Sequence, residues 1–165
     1  MIPARAAAAI MSLLFLPSAA LAKVVEIGVY SDWRAYTDGP VCYMGSEPKK
    51  AEGKYKARGQ PYMLVSHRPQ AKSLGVIEVG AGYTYMKGSE ADLAIGEASF
   101  RLFTDGNTAW ARNAKTDRAL VAAMKGGKEM VIKGTSSRGT LTTDTYSLTG
   151  FSAAYAAIGK ACKVN

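Results

Sequence analysis

His67 is the only histidine of the chain and directly follows Ser66, so these two side chains are the first candidates for catalysis. Hydrolysis by a serine nucleophile needs Ser, His and a carboxylate that meet in space. Neighbouring residues of a strand point to opposite faces, so we do not expect Ser66 and His67 to be partners. The chain also lacks the G-x-S-x-G turn that exposes such a serine. We interpret His67 as a structural or surface histidine at a strand end. The competing hypothesis is a periplasmic small-ligand-binding protein or hydrolase whose pocket joins His67 to Asp32 or Glu78.

The chain offers few side chains for a metal or cofactor. It has one His and two Cys, whereas structural zinc sites take four ligands, and its aspartates lack EF-hand spacing. Gly134–Gly139 lacks the G-x-x-x-x-G-K-[ST] pattern of a phosphate loop. We predict no metal, no cofactor and no catalytic residue. The segment is typical of a hairpin tip, where backbone N–H groups and Arg138 could still hold an anion.

The charge of the chain is strongly basic. Its 165 residues include 21 Lys and Arg against 13 Asp and Glu, a net charge of +8. The segment from Glu47 to Gln60 concentrates this charge and is predicted to be an exposed basic loop. The N-terminal segment, described next, predicts export, and exported proteins meet little nucleic acid. Lipopolysaccharide, membrane surfaces or host glycans are therefore the expected anionic partners. The alternative is that the charge only aids solubility. The predicted anionic-partner surface consists of Lys49, Lys50, Lys54, Lys56, Arg58 and Arg138.

Residues 1–22 have the pattern of a secretory signal peptide. Arg5 precedes an 11-residue run, Ala6 to Leu16, that is apolar apart from one serine, and Ala20-Leu-Ala22 follows as an A-x-A cleavage site. A run of this length is too short to span a bilayer, which disfavours a membrane anchor. We therefore predict cleavage after Ala22, a periplasmic or secreted protein, and one domain over residues 23–165 without a transmembrane segment.

Both cysteines lie in the predicted exported domain. An oxidising compartment favours a disulfide between Cys42 and Cys162, which would tie the start of the domain to its end. Two buried free thiols or an intermolecular bridge are the alternatives.

The remaining pattern is that of a mainly β domain with two short helices. Asp105-Gly106 between apolar runs predicts one hairpin, and the segment Gly134–Gly139 predicts a second. The first helix is placed at about 115–126, with Thr116 as its N-cap. The second, at about 150–162, carries one apolar stripe. Short strands with glycine-rich turns favour a β-sandwich or barrel. The predicted strands lie within residues 24–36, 41–45, 62–67, 74–85, 99–103, 108–112, 130–134 and 140–148.

Several long motifs resemble the invasion-associated locus B family of alphaproteobacteria. They are Ser31-Asp-Trp-Arg-Ala-Tyr36, Pro61-Tyr-Met-Leu-Val-Ser-His-Arg-Pro69, Phe103-Thr-Asp-Gly-Asn-Thr-Ala-Trp110, Met130-Val-Ile-Lys-Gly-Thr-Ser-Ser-Arg-Gly-Thr140 and Asp144-Thr-Tyr-Ser-Leu-Thr-Gly-Phe-Ser-Ala-Ala154. The resemblance implies an immunoglobulin-like β-sandwich and a non-enzymatic exported envelope protein. Such a protein would be an interaction or accessory module related to host interaction or invasion. Many members carry a further cysteine soon after the tryptophan, where this chain has Arg34-Ala-Tyr36, so a second bridge is absent.

Overall fold

The computed structural model describes residues 23–164, and the predicted signal peptide lies outside them. Within this range, eleven strands form one antiparallel sheet in the order β1-β2-β3-β5-β6-β9-β8-β7-β10-β11-β4. The strands are β1 (Val25–Tyr30), β2 (Trp33–Asp38), β3 (Val41–Ser46), β4 (Lys50–Gly53), β5 (Tyr62–Arg68), β6 (Ser73–Gly80), β7 (Glu90–Ile95), β8 (Ala98–Asp105), β9 (Thr108–Trp110), β10 (Glu129–Thr135) and β11 (Leu141–Ser147). The helices are α1 (Ala114–Gly126) and α2 (Phe151–Ala161), and Pro69–Ala71 form a single 3₁₀ turn. The predicted mainly β sandwich with two short helices is confirmed.

The sheet folds over on itself around one hydrophobic core. Trp33 on β2 is fully buried, and its Nε1 donates a hydrogen bond to the carbonyl of Ser147 at the end of β11 (3.0 Å). These strands are far apart in the sheet order, so the contact joins opposite layers. Inward and outward residues alternate along β3, β7, β10 and β11, as expected of strands with one buried face.

The two helices pack against strands β1, β2, β3, β5 and β6 and cover the core there. Helix α2 packs on β1, β2, β3 and β5 through the predicted stripe, of which Phe151, Ala154 and Ile158 are buried. Helix α1 packs on β6. Its Asp117 is buried and accepts a hydrogen bond from the backbone N–H of Ile77 (2.9 Å). Burial raises the pKa of this carboxyl, although the hydrogen bond opposes the shift.

The predicted disulfide is confirmed. Cys42 on β3 and Cys162, directly after α2, are bonded, with 5.9 Å between their Cα atoms. The bridge joins residues 120 positions apart and fastens the end of α2 to the sheet. For a loop of this length the chain-entropy account gives a stabilisation of about 5 kcal/mol.

Three details of the predicted elements are wrong. The N-cap of α1 is Asn113, whose side chain accepts from the N–H of Thr116 (3.0 Å), so the cap lies three residues before the predicted one. Strand β4 lies inside the segment that was predicted to be a basic loop, because Lys50 to Gly53 pair with β11. Strand β7 was not predicted and completes a hairpin with β8.

Candidate functional site

Four of the predicted basic residues line a single cleft, namely Lys54, Lys56, Arg58 and Arg138. Lys54 and Lys56, which follow β4, lie across this cleft from Arg138 at the β10–β11 hairpin tip. We call it the cationic cleft; it has a volume of about 580 Å³ and is also lined by Tyr55, Tyr83 and several Ser and Thr hydroxyls. The fold therefore brings together two basic segments that are about 80 residues apart in sequence.

The other predicted basic residues lie elsewhere. Lys49 forms an ion pair with Asp32 and lines a separate cavity of about 450 Å³. The hydrogen bond from Lys49, a hydrogen bond from Ser147 and the charge of Lys49 lower the pKa of Asp32. Lys50 is exposed on β4 opposite Thr145. Neither lines the cationic cleft.

Arg58 was predicted to be part of the exposed surface, and this is wrong. Its side chain is 3% exposed and forms a bidentate pair with Asp144, which is 5% exposed. Nη1 donates to Oδ1 at 2.7 Å, Nη2 donates to Oδ2 at 2.5 Å, and Nε donates to the carbonyl of Ala81 at 2.7 Å. Arg58 borders the cleft, but its buried and paired guanidinium offers a ligand little surface. Its main contact anchors the basic segment to β11.

The Arg58 guanidinium also holds the two tyrosines of the cleft. It lies 5.0 Å from the ring centroid of Tyr83 and 5.6 Å from that of Tyr55, within cation–π range. The Tyr83 hydroxyl is hydrogen-bonded to Thr142 (2.7 Å), and the Tyr55 hydroxyl donates to the Ala51 carbonyl (2.9 Å). Although burial disfavours the charged guanidinium, its bonds to Asp144 and the charge of that carboxylate raise the pKa of Arg58. Burial also raises the pKa of Tyr83.

A glycine contact sets the path of the basic segment. The N–H of Gly59 donates to the carbonyl of Gly82 at 2.8 Å. Gly82 has a φ of +71°, and a Cβ at this position would overlap the carbonyl oxygen of Gly59. Glycine at position 82 therefore permits the close approach of the two backbones.

The hairpin tip has no spare backbone donors for an anion. Ser136 N–H bonds to Thr140 O, Ser137 N–H to Thr84 O, and Gly139 N–H to Ser136 O, at 2.7–2.9 Å. The N–H groups of Arg138 and Thr140 both donate to the Ser136 hydroxyl. Anion capture by backbone N–H groups, considered from the sequence, is therefore wrong for this tip. An anion in the cleft would have to be held by side chains.

The charge of the cleft is uncompensated. Among residues 23–164, Lys54, Lys56 and Arg138 form no ion pair. No carboxylate lines the cleft. The nearby Asp144 is paired with Arg58. This arrangement attracts anions.

His67 is a structural residue of the core. It is 2% exposed; its Nδ1 accepts from the N–H of Gly75 (3.0 Å), and its Nε2 has no partner within the described chain. The Tyr155 ring of α2 packs edge-on against it at 5.0 Å. Burial, with the Lys125 charge adding to it, lowers the pKa of His67.

The cavities lined by Asp32 and by Glu78 do not include His67. Asp32 lies in the separate cavity with Lys49. Glu78 lies on the outer face of the sheet and accepts from the Tyr62 hydroxyl (2.8 Å). Burial and this bond raise the pKa of Tyr62 to about 12. Ser66 lines that outer face while His67 faces the core, as expected of neighbours on a strand. Within residues 23–164 no group of three His, Cys, Asp or Glu side chains could hold a metal ion.

A family model described as invasion associated locus B (IalB) protein matches residues 33–159. The chain belongs to the IalB family. Comparison with curated proteins finds no match, and comparison with solved structures finds none either. Membership of the IalB family, together with the disulfide, indicates an extracytoplasmic protein. None of the described helices is long and apolar enough to cross a membrane.

Within this IalB family member, the carboxylate that organises the cleft, Asp144, was not among the residues predicted from the sequence. Alternate residues of β11 face the core, and Asp144 is one of them, between buried Thr142 and Tyr146. A carboxylate there needs a partner, since a buried unpaired charge is costly. That alternation was the available signal, and it pointed to a buried cation without saying which one.

Proposed function

We propose that this IalB family member is a non-enzymatic exported protein of the bacterial envelope, and that the cationic cleft is its binding surface for an anionic partner. Three cations without ion pairs, gathered in one cleft without a carboxylate, are the observation that carries this proposal. The partner has the chemistry of lipopolysaccharide or of a host-surface glycan: a carbohydrate polymer that bears phosphate or sulfate groups.

The environment of His67 supports a non-enzymatic role. A general base must reach the proton that it removes, and His67 is enclosed by the core with its Nδ1 engaged by Gly75. The hydrolase or small-ligand hypothesis required a pocket that joins His67 to Asp32 or Glu78, and no observation favours it.

Retention on immobilised heparin, a sulfated glycan, tests the proposal. The test variant is Lys54→Glu/Lys56→Glu/Arg138→Glu. The matched control is Lys115→Glu/Lys128→Glu/Lys160→Glu, which changes exposed lysines outside the cleft and lowers the net charge by the same amount. We expect the test variant to elute at much lower salt than the unmodified protein, while the control elutes close to it and both keep their melting temperatures.

Two outcomes would contradict the proposal. Equal loss of retention in both variants would show that the net charge of the protein, and not the cleft, determines binding to heparin. Unchanged retention of the test variant would place the binding surface outside the cleft.

A further inference from the structure

We propose that the ligand of the cationic cleft is a phosphorylated sugar, held with its phosphate among Lys54, Lys56 and Arg138 and its sugar ring on Tyr55. This inference rests on the proposed function and names the ligand class of the same site. The free monosaccharide and the phosphorylated sugars of a lipopolysaccharide share this chemistry.

The size and lining of the cleft suit a sugar. Its volume of about 580 Å³ is within the usual range of small-molecule sites, about 300–1,000 Å³. The Ser136 hydroxyl accepts two backbone N–H bonds, which leaves its proton free to donate to a ligand. Ser137 and Thr84 are exposed beside it. This wall of hydroxyls matches the hydroxyls of a sugar ring.

Tyr55 supplies a fixed aromatic surface at the edge of this wall. The residue is 39% exposed, yet its hydroxyl donates to the Ala51 carbonyl and the Arg58 guanidinium lies near its ring. An aromatic ring that is held at both points loses little entropy when a ligand packs on it. The C–H groups on one face of a pyranose pack well against such a ring.

Arg58 borders the cleft, but its guanidinium is already paired with Asp144, so its role is to position the other groups. Arg58 is 3% exposed, so its charge is satisfied inside and it fixes the segment that carries Tyr55 and both lysines. The phosphate then meets three exposed cations without ion pairs, and no carboxylate. Lys and Arg are the side chains that bind phosphate best.

Titration calorimetry on the disulfide-bonded protein, isolated from the periplasm of an expression host, tests the inference. The probes are glucose 6-phosphate, glucose, inorganic phosphate and adenosine monophosphate. We expect glucose 6-phosphate to bind at least tenfold more tightly than inorganic phosphate, and glucose alone not to bind. Tyr55→Ala should weaken glucose 6-phosphate by about fivefold and leave inorganic phosphate unchanged. Tyr55→Phe keeps the ring but loses its bond to the Ala51 carbonyl, so it should weaken glucose 6-phosphate binding less than Tyr55→Ala does.

A parallel arm with intact and dephosphorylated lipopolysaccharide distinguishes the two sources. Loss of binding on dephosphorylation, with affinity above that of glucose 6-phosphate, assigns the polymer; equal or tighter binding of the free sugar assigns the monosaccharide.

The inference and the proposed function fail differently. Equal affinity for glucose 6-phosphate and inorganic phosphate, or no effect of Tyr55→Ala, would show that the cleft does not recognise the sugar. The proposal that the cleft binds anions would still stand. Tighter binding of adenosine monophosphate would replace the sugar by a nucleotide. Absence of all binding, together with unchanged heparin retention of the charge-reversed variant, would overturn both.

Discussion

The buried pair of Arg58 and Asp144 gives the sharpest stability prediction. We consider Arg58→Met and Asp144→Leu, alone and together. Each single change leaves the other charge without its partner in the core, because the two side chains are only 3% and 5% exposed. The pair contributes two charge-assisted hydrogen bonds, and a third bond joins Arg58 to the Ala81 carbonyl.

The expected costs differ between the single and double changes. Removal of one partner of a buried ion pair costs about 3–5 kcal/mol. The double variant buries no unpaired charge. Its main cost is that the Ala81 carbonyl loses its hydrogen-bond donor, about 1–3 kcal/mol. It should therefore be more stable than either single variant, which requires a coupling energy of at least about 3 kcal/mol between the positions.

Urea unfolding under oxidising conditions measures these differences. With a slope of about 2 kcal/mol per molar urea, each single change should lower the midpoint by about 2 M. Arg101→Met is the matched control: this arginine pairs with Glu90 and Asp92 but is 74% exposed, and its loss should cost less than about 1 kcal/mol. Single changes that cost no more than the Arg101 control, or a double variant whose cost equals the sum, would refute the reasoning.

Three further predictions concern the disulfide, the buried histidine and the glycine contact. Replacing Cys42 and Cys162 by Ala should cost about 2–5 kcal/mol in urea unfolding, and reduction of the native protein should have the same effect; identical midpoints with and without reductant would contradict this. The lowered pKa of His67 means that the unfolded chain takes up a proton as the pH falls through its ordinary 6.5 while the folded chain does not, so stability should fall from that pH downwards. His67→Asn keeps an acceptor but does not titrate, and should flatten this dependence; an unaltered pH profile would exclude His67 as its source. Gly82→Ala should cost more than about 2 kcal/mol, from the left-handed backbone and the overlap with Gly59, and should reduce heparin retention; a stable variant with full retention would show that the close approach does not shape the cleft.

The sequence was most informative where local chemistry decides the structure. The Asp105-Gly106 turn, the apolar stripe of α2 and the pairing of the two cysteines in an exported domain each follow from residue type and spacing, and the structure contains all three. The segments near β4 and β7 were harder. Lys50 to Gly53 have no β-branched residue, and their strand exists because β11 offers an edge. Tertiary pairing there overrides a weak local preference.

The candidate site shows the same limit. A count of basic residues located Lys54, Lys56 and Arg138 but could not separate them from Arg58, which differs only in having a carboxylate within reach 86 positions away. Burial and pairing are properties of the folded chain. They make Arg58, predicted to be a surface cation, a buried residue that anchors the basic segment. They also place Lys49 in a different cavity.

The central claim is that the cationic cleft is where this protein binds anions, and amide chemical-shift mapping tests it most directly. A sulfated heparin disaccharide would be titrated into the ¹⁵N-labelled, disulfide-bonded protein. The account predicts that the shifted amides cluster at residues 54–58 and 136–140, with Thr84 between them. Shifts centred on Lys49 and Asp32, on the exposed lysines of α1 and α2, or spread evenly over the basic surface would contradict it.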